Sequence, residues 1–210
     1  RTTVGAMVVA MPTLLSPAIE RVKKQSAQMR VMVEEGDLTR LLPRLRRGEL
    51  DVLVGRLEPG YAAPDLDTEP LYQEAMCLVV SAHHPLASHK KITWQLLAQQ
   101  AWVVPPPWAS SRIKLEQLFH KHGLNPPSDL IESASFLAIL CAVRDQQAVG
   151  FVARGVGLHY QKENLFKVLP VSLDMDLPPV GMITMRGQKI SLTTQTLMAS
   201  LRAVSKQRRA

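Results

Sequence analysis

Hydrophobic residues recur along this chain in short blocks whose spacing alternates between two and three-to-four residues, the pattern of strands interleaved with helices. Thr3 to Ala6 reads as a short strand, and Met11, Leu15, Ile19 and Val22 then fall on one face at helical spacing. That stripe starts the first helix near Val9, with Pro12 in its first turn and Pro17 inside it. A start at Pro17 with Ser16 as cap is the alternative, and it leaves the preceding segment irregular. Met29 to Glu34 alternates as a strand, Leu38 to Glu49 is amphipathic with Gly48 near its end, and Asp51 to Gly55 is a short buried strand. Strands and helices in this order predict parallel strands joined by right-handed crossovers, with helices on both faces.

Glu58 to Pro70 reads as a loop, with Pro59, Gly60, Pro64 and Pro70, and it leads into the apolar strand Ala75 to Ser81. A second alternating set follows: helix Thr93–Gln100, strand Trp102–Val104, helix Arg112–His122, strand Asp129–Glu132, helix Phe136–Gln147 and strand Ala148–Val152. Leu165 to Val171 and Val180 to Met185 read as further strands, separated by the breaker-rich Asp174 to Pro179. Thr193 to Val204 closes the chain as a helix with no lobe of its own. It is expected to pack back on the first lobe. The middle of the chain then becomes an insertion: residues 1–74 and 174–210 form lobe I and residues 75–173 form lobe II.

Composition narrows the class. With 210 residues, 46% of them hydrophobic and 20% charged, the chain can bury a core without staples, which excludes disorder and fibres. Cys77 and Cys141 each sit in an apolar run, which argues for a reducing, cytoplasmic setting over a disulfide framework. No apolar stretch approaches the ~20 residues of a membrane span. The chain opens at Arg1 without a signal region and reads as a fragment whose upstream sequence has been removed. A net charge of +7 invites a nucleic-acid reading. The basic residues Lys23, Lys24, Arg44, Arg46, Arg47, Lys206, Arg208 and Arg209 are instead spread over polar helix faces, without interleaved aromatics.

Catalytic constellations are absent. His83, His84 and His89 flank Pro85 in a turn and read as surface histidines, and His120 and His122 point to different helix faces. The phosphate-binding, nucleophile-elbow and dinucleotide motifs are missing; Gly155 and Gly157, read as loop residues after a strand, lack the third glycine. No metal and no cofactor is implied, and the chain reads as a binding protein rather than an enzyme. In open parallel sheets ligands bind beyond the strands' carboxyl ends. Those ends are Met7, Val8 and Val9 after the first strand, Gly55 and Arg56 where the third ends, and Pro106, Trp108 and Ser110 after Trp102–Val104. Ser133, Ser135 and Phe136 complete the set between a strand and a helix. Arg56 is either a cation for an anionic ligand group or a loop arginine in water, and Ser110, Ser111, Ser133 and Ser135 either bind or cap. Phe136 to Gln147 carries more apolar surface than one stripe needs, as a helix buried on two sides would.

Four stretches in order carry a resemblance: RRGELDVLVG (Arg46–Gly55), LYQEAMCLVVSAHHPLA (Leu71–Ala87), WVVPPP followed by Arg112, and PVGMITMRGQKISLTTQTLMASLR (Pro179–Arg202). Together they resemble the effector-binding, or regulatory, domain of LysR-type bacterial transcriptional regulators, nearest the subgroup that responds to sugars or aromatic-pathway acids. The resemblance implies an α/β fold of two Rossmann-like lobes joined by two crossover strands, like periplasmic binding proteins of type 2. It implies a small-molecule effector held between the lobes, and DNA binding only through a missing amino-terminal winged helix-turn-helix. It also implies a side-by-side homodimer, Leu14–Gln25 of one subunit facing Phe136–Gln147 of the other, and a homotetramer at full length. Family ligand positions fall on Met7 and Val9, on Pro106 to Ser110, and on Ser133 to Phe136. Members that hold anions often have Ser or Thr at the first of these, so Met7, Val8 and Val9 predict a partly apolar effector. A transport solute-binding protein of the same fold is the alternative reading.

Overall fold

A computed structural model describes residues 1–59 and 62–208, so Gly60 of the expected loop and Arg209 of the basic tail lie outside the described residues. Contacts divide the chain into two units, residues 1–73 with 178–210, and residues 74–177. The chain leaves the first unit after Gln73 and returns at Pro178.

The first unit is built on a five-stranded sheet in the order β2-β1-β3-β10-β4. Its strands are β1 (Thr2–Ala6), β2 (Val31–Glu35), β3 (Val52–Arg56), β4 (Leu66–Tyr72) and β10 (Val180–Met185). One face packs on α1 (Ser16–Gln25) and α7 (Leu192–Arg208), where Val4, Ala6, Val52 and Val54 meet Ala18, Val22, Leu197 and Leu201. Leu38, Leu41, Leu42 and Leu45 of α2 (Leu38–Arg46) cover the other face over Leu53 and Ile183. Their helical spacing is what gives α2 a single apolar side. Asp37 caps α2, accepting from the Arg40 N–H at 3.0 Å, and Gly48 at φ +72° turns the chain out of it. The closing helix thus packs on the first sheet, as its lack of a second partner required.

The second unit has the order β7-β6-β8-β5-β9. Its strands are β5 (Met76–Val80), β6 (Trp102–Val104), β7 (Leu130–Glu132), β8 (Val149–Ala153) and the two-residue β9 (Lys167–Val168). Helices α3 (Trp94–Ala98), α4 (Ser110–Lys121), α5 (Phe136–Asp145) and α6 (Arg154–Lys162) flank it. Trp102 is fully buried, its indole N–H donating to Leu97 O at 2.9 Å and its ring edge-on to Phe119.

Several expectations are corrected. Both sheets are mixed: β10 runs antiparallel to β3 and β4, and β5 antiparallel to β8 and β9, because these strands lie where the chain passes between units. Leu66–Tyr72, which overlaps the second half of the expected loop Glu58–Pro70, is a strand; Pro70 is tolerated because β4 is an edge that pairs with β10 alone. Gly155 and Gly157 lie in α6 rather than a loop. A Cβ at Gly157 would sit 2.6 Å from Cys77 Sγ, so this glycine lets the helix approach the sheet closely. Leu165–Val171 keeps only the two residues of β9 as strand. The first helix is neither alternative: a 3₁₀ turn (Val8–Ala10) and a π-helical turn (Met11–Leu15) precede α1. Pro12 and Pro17 lack the N–H groups that a regular helix would use there, and the wider turn relieves the clash of the Pro17 ring with the preceding turn.

Candidate functional site

In the first unit β1 and β3 are parallel neighbours, so Met7–Val9, which follow β1, and Gly55–Arg56, the last residues of β3, still paired with β10, lie at the same end of the sheet. The Met7 N–H donates to Val54 O at 3.0 Å, and the Met7 side chain lies across Gly55, where a Cβ would come within 2.4 Å of Sδ. The thioether therefore roofs β3 and packs against the α2 face of the core. Val9 packs against the opposite core. Regular α-helix begins only at Ser16, and a 3₁₀ turn followed by a π-helical turn leads into it from the end of β1. Arg56 is 3% exposed and donates from Nη1 to Pro178 O at 2.7 Å. It is not a loop arginine in water; it ties the end of β3 to the point where the chain re-enters this unit.

In the second unit β6 and β7 are parallel neighbours and end side by side, with the Ser133 N–H donating to Val104 O at 3.0 Å. Pro106, Trp108 and Ser110 follow β6; Ser133, Ser135 and Phe136 follow β7. Trp108 is 57% exposed, a large aromatic face held out by three prolines. Neither serine of the Ser110–Ser111 pair caps α4: the cap position is Ala109, both lie in the first turn, and Ser110 Oγ is buried without a hydrogen-bond partner. Ser135 occupies the cap position of α5 without a side-chain bond to it, while Ser133 Oγ accepts from the Ser135 N–H at 3.0 Å. The Phe136 ring stacks on Tyr160 at 4.4 Å and meets Phe166 edge-on, an aromatic cluster that sequence spacing did not join. Arg112, 6% exposed, lies just behind the proline loop and donates to Pro105 O, Glu116 and Glu132. Its place right after WVVPPP was the sequence signal for it.

The remaining chemistry is quiet. Burial pushes the Cys77 thiol up to about 12, with the Arg154 charge pulling the other way. His84, expected at the surface, is 4% exposed: its Nδ1 accepts from the Leu86 N–H, and burial holds its pKa below the ordinary histidine value. His122 stacks on Trp94. Arg44, Arg46 and Arg47 are each paired with carboxylates, Glu34 and Glu49, Asp65, and Glu49 respectively. Each of these three arginines thus faces a carboxylate, so the Arg44–Arg47 run is not a block of unopposed positive charge. Among the described residues there is no cluster of three His, Cys, Asp or Glu fit for a metal ion, and no helix long and apolar enough to cross a membrane.

Compared with known families, residues 1–206 match the LysR substrate binding domain. The chain belongs to that family. Among relatives of this LysR domain, the HTH-type transcriptional regulator GbpR of Azospirillum brasilense is 28% identical over 96% of this chain and 62% of its own length. The HTH-type transcriptional regulator GalR of Pseudomonas putida is 31% identical over 96% of this chain and 50% of its own length. The chain thus spans about half to three-fifths of these curated relatives. The effector binding domain of QuiR, solved in complex with shikimate, superposes with a TM-score of 0.75 at 15% identity, covering 98% of this chain and 97% of that one. This likeness shows the fold of the LysR domain: two α/β lobes of the periplasmic-binding-protein type 2 class.

Proposed function

We propose that this chain is the effector-sensing part of a LysR-type transcriptional regulator, and that a small molecule bound at the strand ends changes how the whole protein binds DNA. The observation that carries the reading is the family match across residues 1–206, joined to relatives that are HTH-type regulators and extend well beyond this chain. DNA contact belongs to their additional, amino-terminal part, the setting is the cytoplasm, and the chain itself binds without turnover. Met7, Val8, Val9, Gly55 and Arg56 form the effector wall of lobe I, and Pro106, Trp108, Ser110, Ser133, Ser135 and Phe136 that of lobe II. The apolar roof over Gly55 and the exposed Trp108 ring support an effector with an apolar or ring face, and the serines support one with hydroxyls. A sugar or an aromatic-pathway acid has both, and the QuiR domain was solved with shikimate. The regulator is a homodimer through its regulatory domains and a homotetramer at full length, α5 supplying one face, where Leu137 is 67% exposed.

A ligand moves an equilibrium only by its difference in affinity for the two states. The test has two steps: a thermal-shift screen of this chain against sugars, sugar acids and aromatic-pathway acids, then titration of each hit against the full-length protein on its operator. A hit that changes operator affinity or footprint is expected. Hits that stabilise the chain and leave DNA binding untouched would overturn the reading, as would conversion of a hit to product.

A further inference from the structure

The two loops assigned above to the effector wall of lobe II leave neighbouring strands, and besides the backbone bond from Ser133 N–H to Val104 O a buried arginine ties one to the other. Arg112 sits in the first turns of α4 with its side chain 8% exposed. Its Nε donates to Glu116 on the same helix at 2.7 Å. Its Nη1 faces two other elements: Pro105 O, where the proline loop begins, at 3.2 Å, and Glu132 Oε1, the last residue of β7, at 3.0 Å. A planar guanidinium offers donors in a fixed fork, so contacts made at once to three sites hold those sites in one relative geometry. Pro105–Pro107 carry no N–H groups, which removes the ordinary means of tying such a loop to its neighbours. The stretch that carries Trp108 is also held by the Ala109 N–H on Pro106 O within the loop and by the Arg112 and Ile113 N–H groups on Ala109 O at the start of α4; among these backbone bonds none reaches β7.

We propose that Arg112 is a positioning residue for effector binding: it touches no effector, but it clamps the Pro105–Ser110 wall to the end of β7 and so sets the place of Trp108 relative to Ser133–Phe136. This rests on the effector-site reading above. The clamp is the pair of bonds that reach other elements; the Glu116 bond, internal to α4, only orients the fork.

The experiment uses the whole chain labelled with 5-fluorotryptophan, giving one ¹⁹F resonance for each of Trp94, Trp102 and Trp108, assigned by Trp→Phe variants. Arg112→Met and Glu132→Ala are expected to displace or broaden the Trp108 resonance, Glu116→Ala to leave it in place, and all three to leave Trp94 unmoved. Spectra are taken well below each variant's melting temperature, so loss of stability alone does not move the signal. If Arg112→Met does not fold, Glu132→Ala decides the matter, because the Glu132 side chain is 43% exposed. A Trp108 resonance unmoved by either clamp variant, or moved as far by Glu116→Ala, overturns the proposal. No effector enters this measurement, so its failure is separate from failure of the ligand screen.

Discussion

At the scale of single residues, burial decides chemistry that residue type alone leaves open. Cys77 and Cys141 look alike in sequence, yet Cys77 is buried with its thiol raised to about 12, while Cys141 is half-buried. Since the thiolate is the reactive form, a thiol reagent at pH 8 is expected to modify Cys141 first and Cys77 only on unfolding. Labelling both at equal rates in the native protein would contradict this. His84 makes a second case. Its folded pKa is lowered by desolvation, against a smaller opposing effect of its hydrogen bond with the Gln147 backbone, so the unfolded chain binds the proton more readily. The stability it contributes is present above the ordinary histidine value of ~6.5 and is lost as pH falls through that value toward the folded pKa. Melting temperature is therefore expected to drop from pH 7.5 to pH 5 more steeply in the native protein than in His84→Asn, whose amide oxygen can still accept from Leu86. Equal slopes would remove His84 from the account.

At the scale of elements, close approach explains where simple periodicity misleads. The glycines of α6 read as loop because glycine weakens an isolated helix, but at Gly157, against Cys77 and Val79 of β5, only a side chain of that size fits. β4 was hidden by Pro64 and Pro70, and only its edge position in the sheet accommodates the second of these. A Cβ at Gly181 of β10 would lie 2.2 Å from Glu69 O on β4, beside the bulge between Val180 and Gly181. Gly181→Ala must push one backbone away from another, and a loss of about 1–3 kcal/mol in urea unfolding is expected. An unchanged midpoint would mean that the edge strand yields freely. Leu201 of α7 is fully buried against the first sheet, and Leu201→Ala is expected to cost about 2–5 kcal/mol by the same measurement.

At the scale of the whole molecule, the expected behaviour is linkage. An effector that binds only the folded chain adds ~2.7 kcal/mol of stability at a hundredfold excess over its Kd, a rise that calorimetry resolves easily. On the proposed function, the factor by which effector changes the operator affinity of the full-length protein equals the factor by which operator changes its effector affinity. Unequal factors, measured by titrating each ligand in the presence of the other, would show that the two sites are not linked through one pair of states.

The sequence by itself determined the alternation of strands and helices, the α/β class and the return of the last helix to the first sheet, because these follow from local periodicity and from the need of each apolar face for a cover. It also located the end of β6, since the prolines after WVV are a local signal, and placed the end of β3 within one residue. Tertiary structure alone decided what these residues meet: Arg56 buried on Pro178, Arg112 buried between Pro105 and Glu132, and the half-buried Phe136 stacked on Tyr160. Each depends on partners distant in the chain, and desolvation of a charge or a ring is a property of what surrounds it, which no window along the sequence contains.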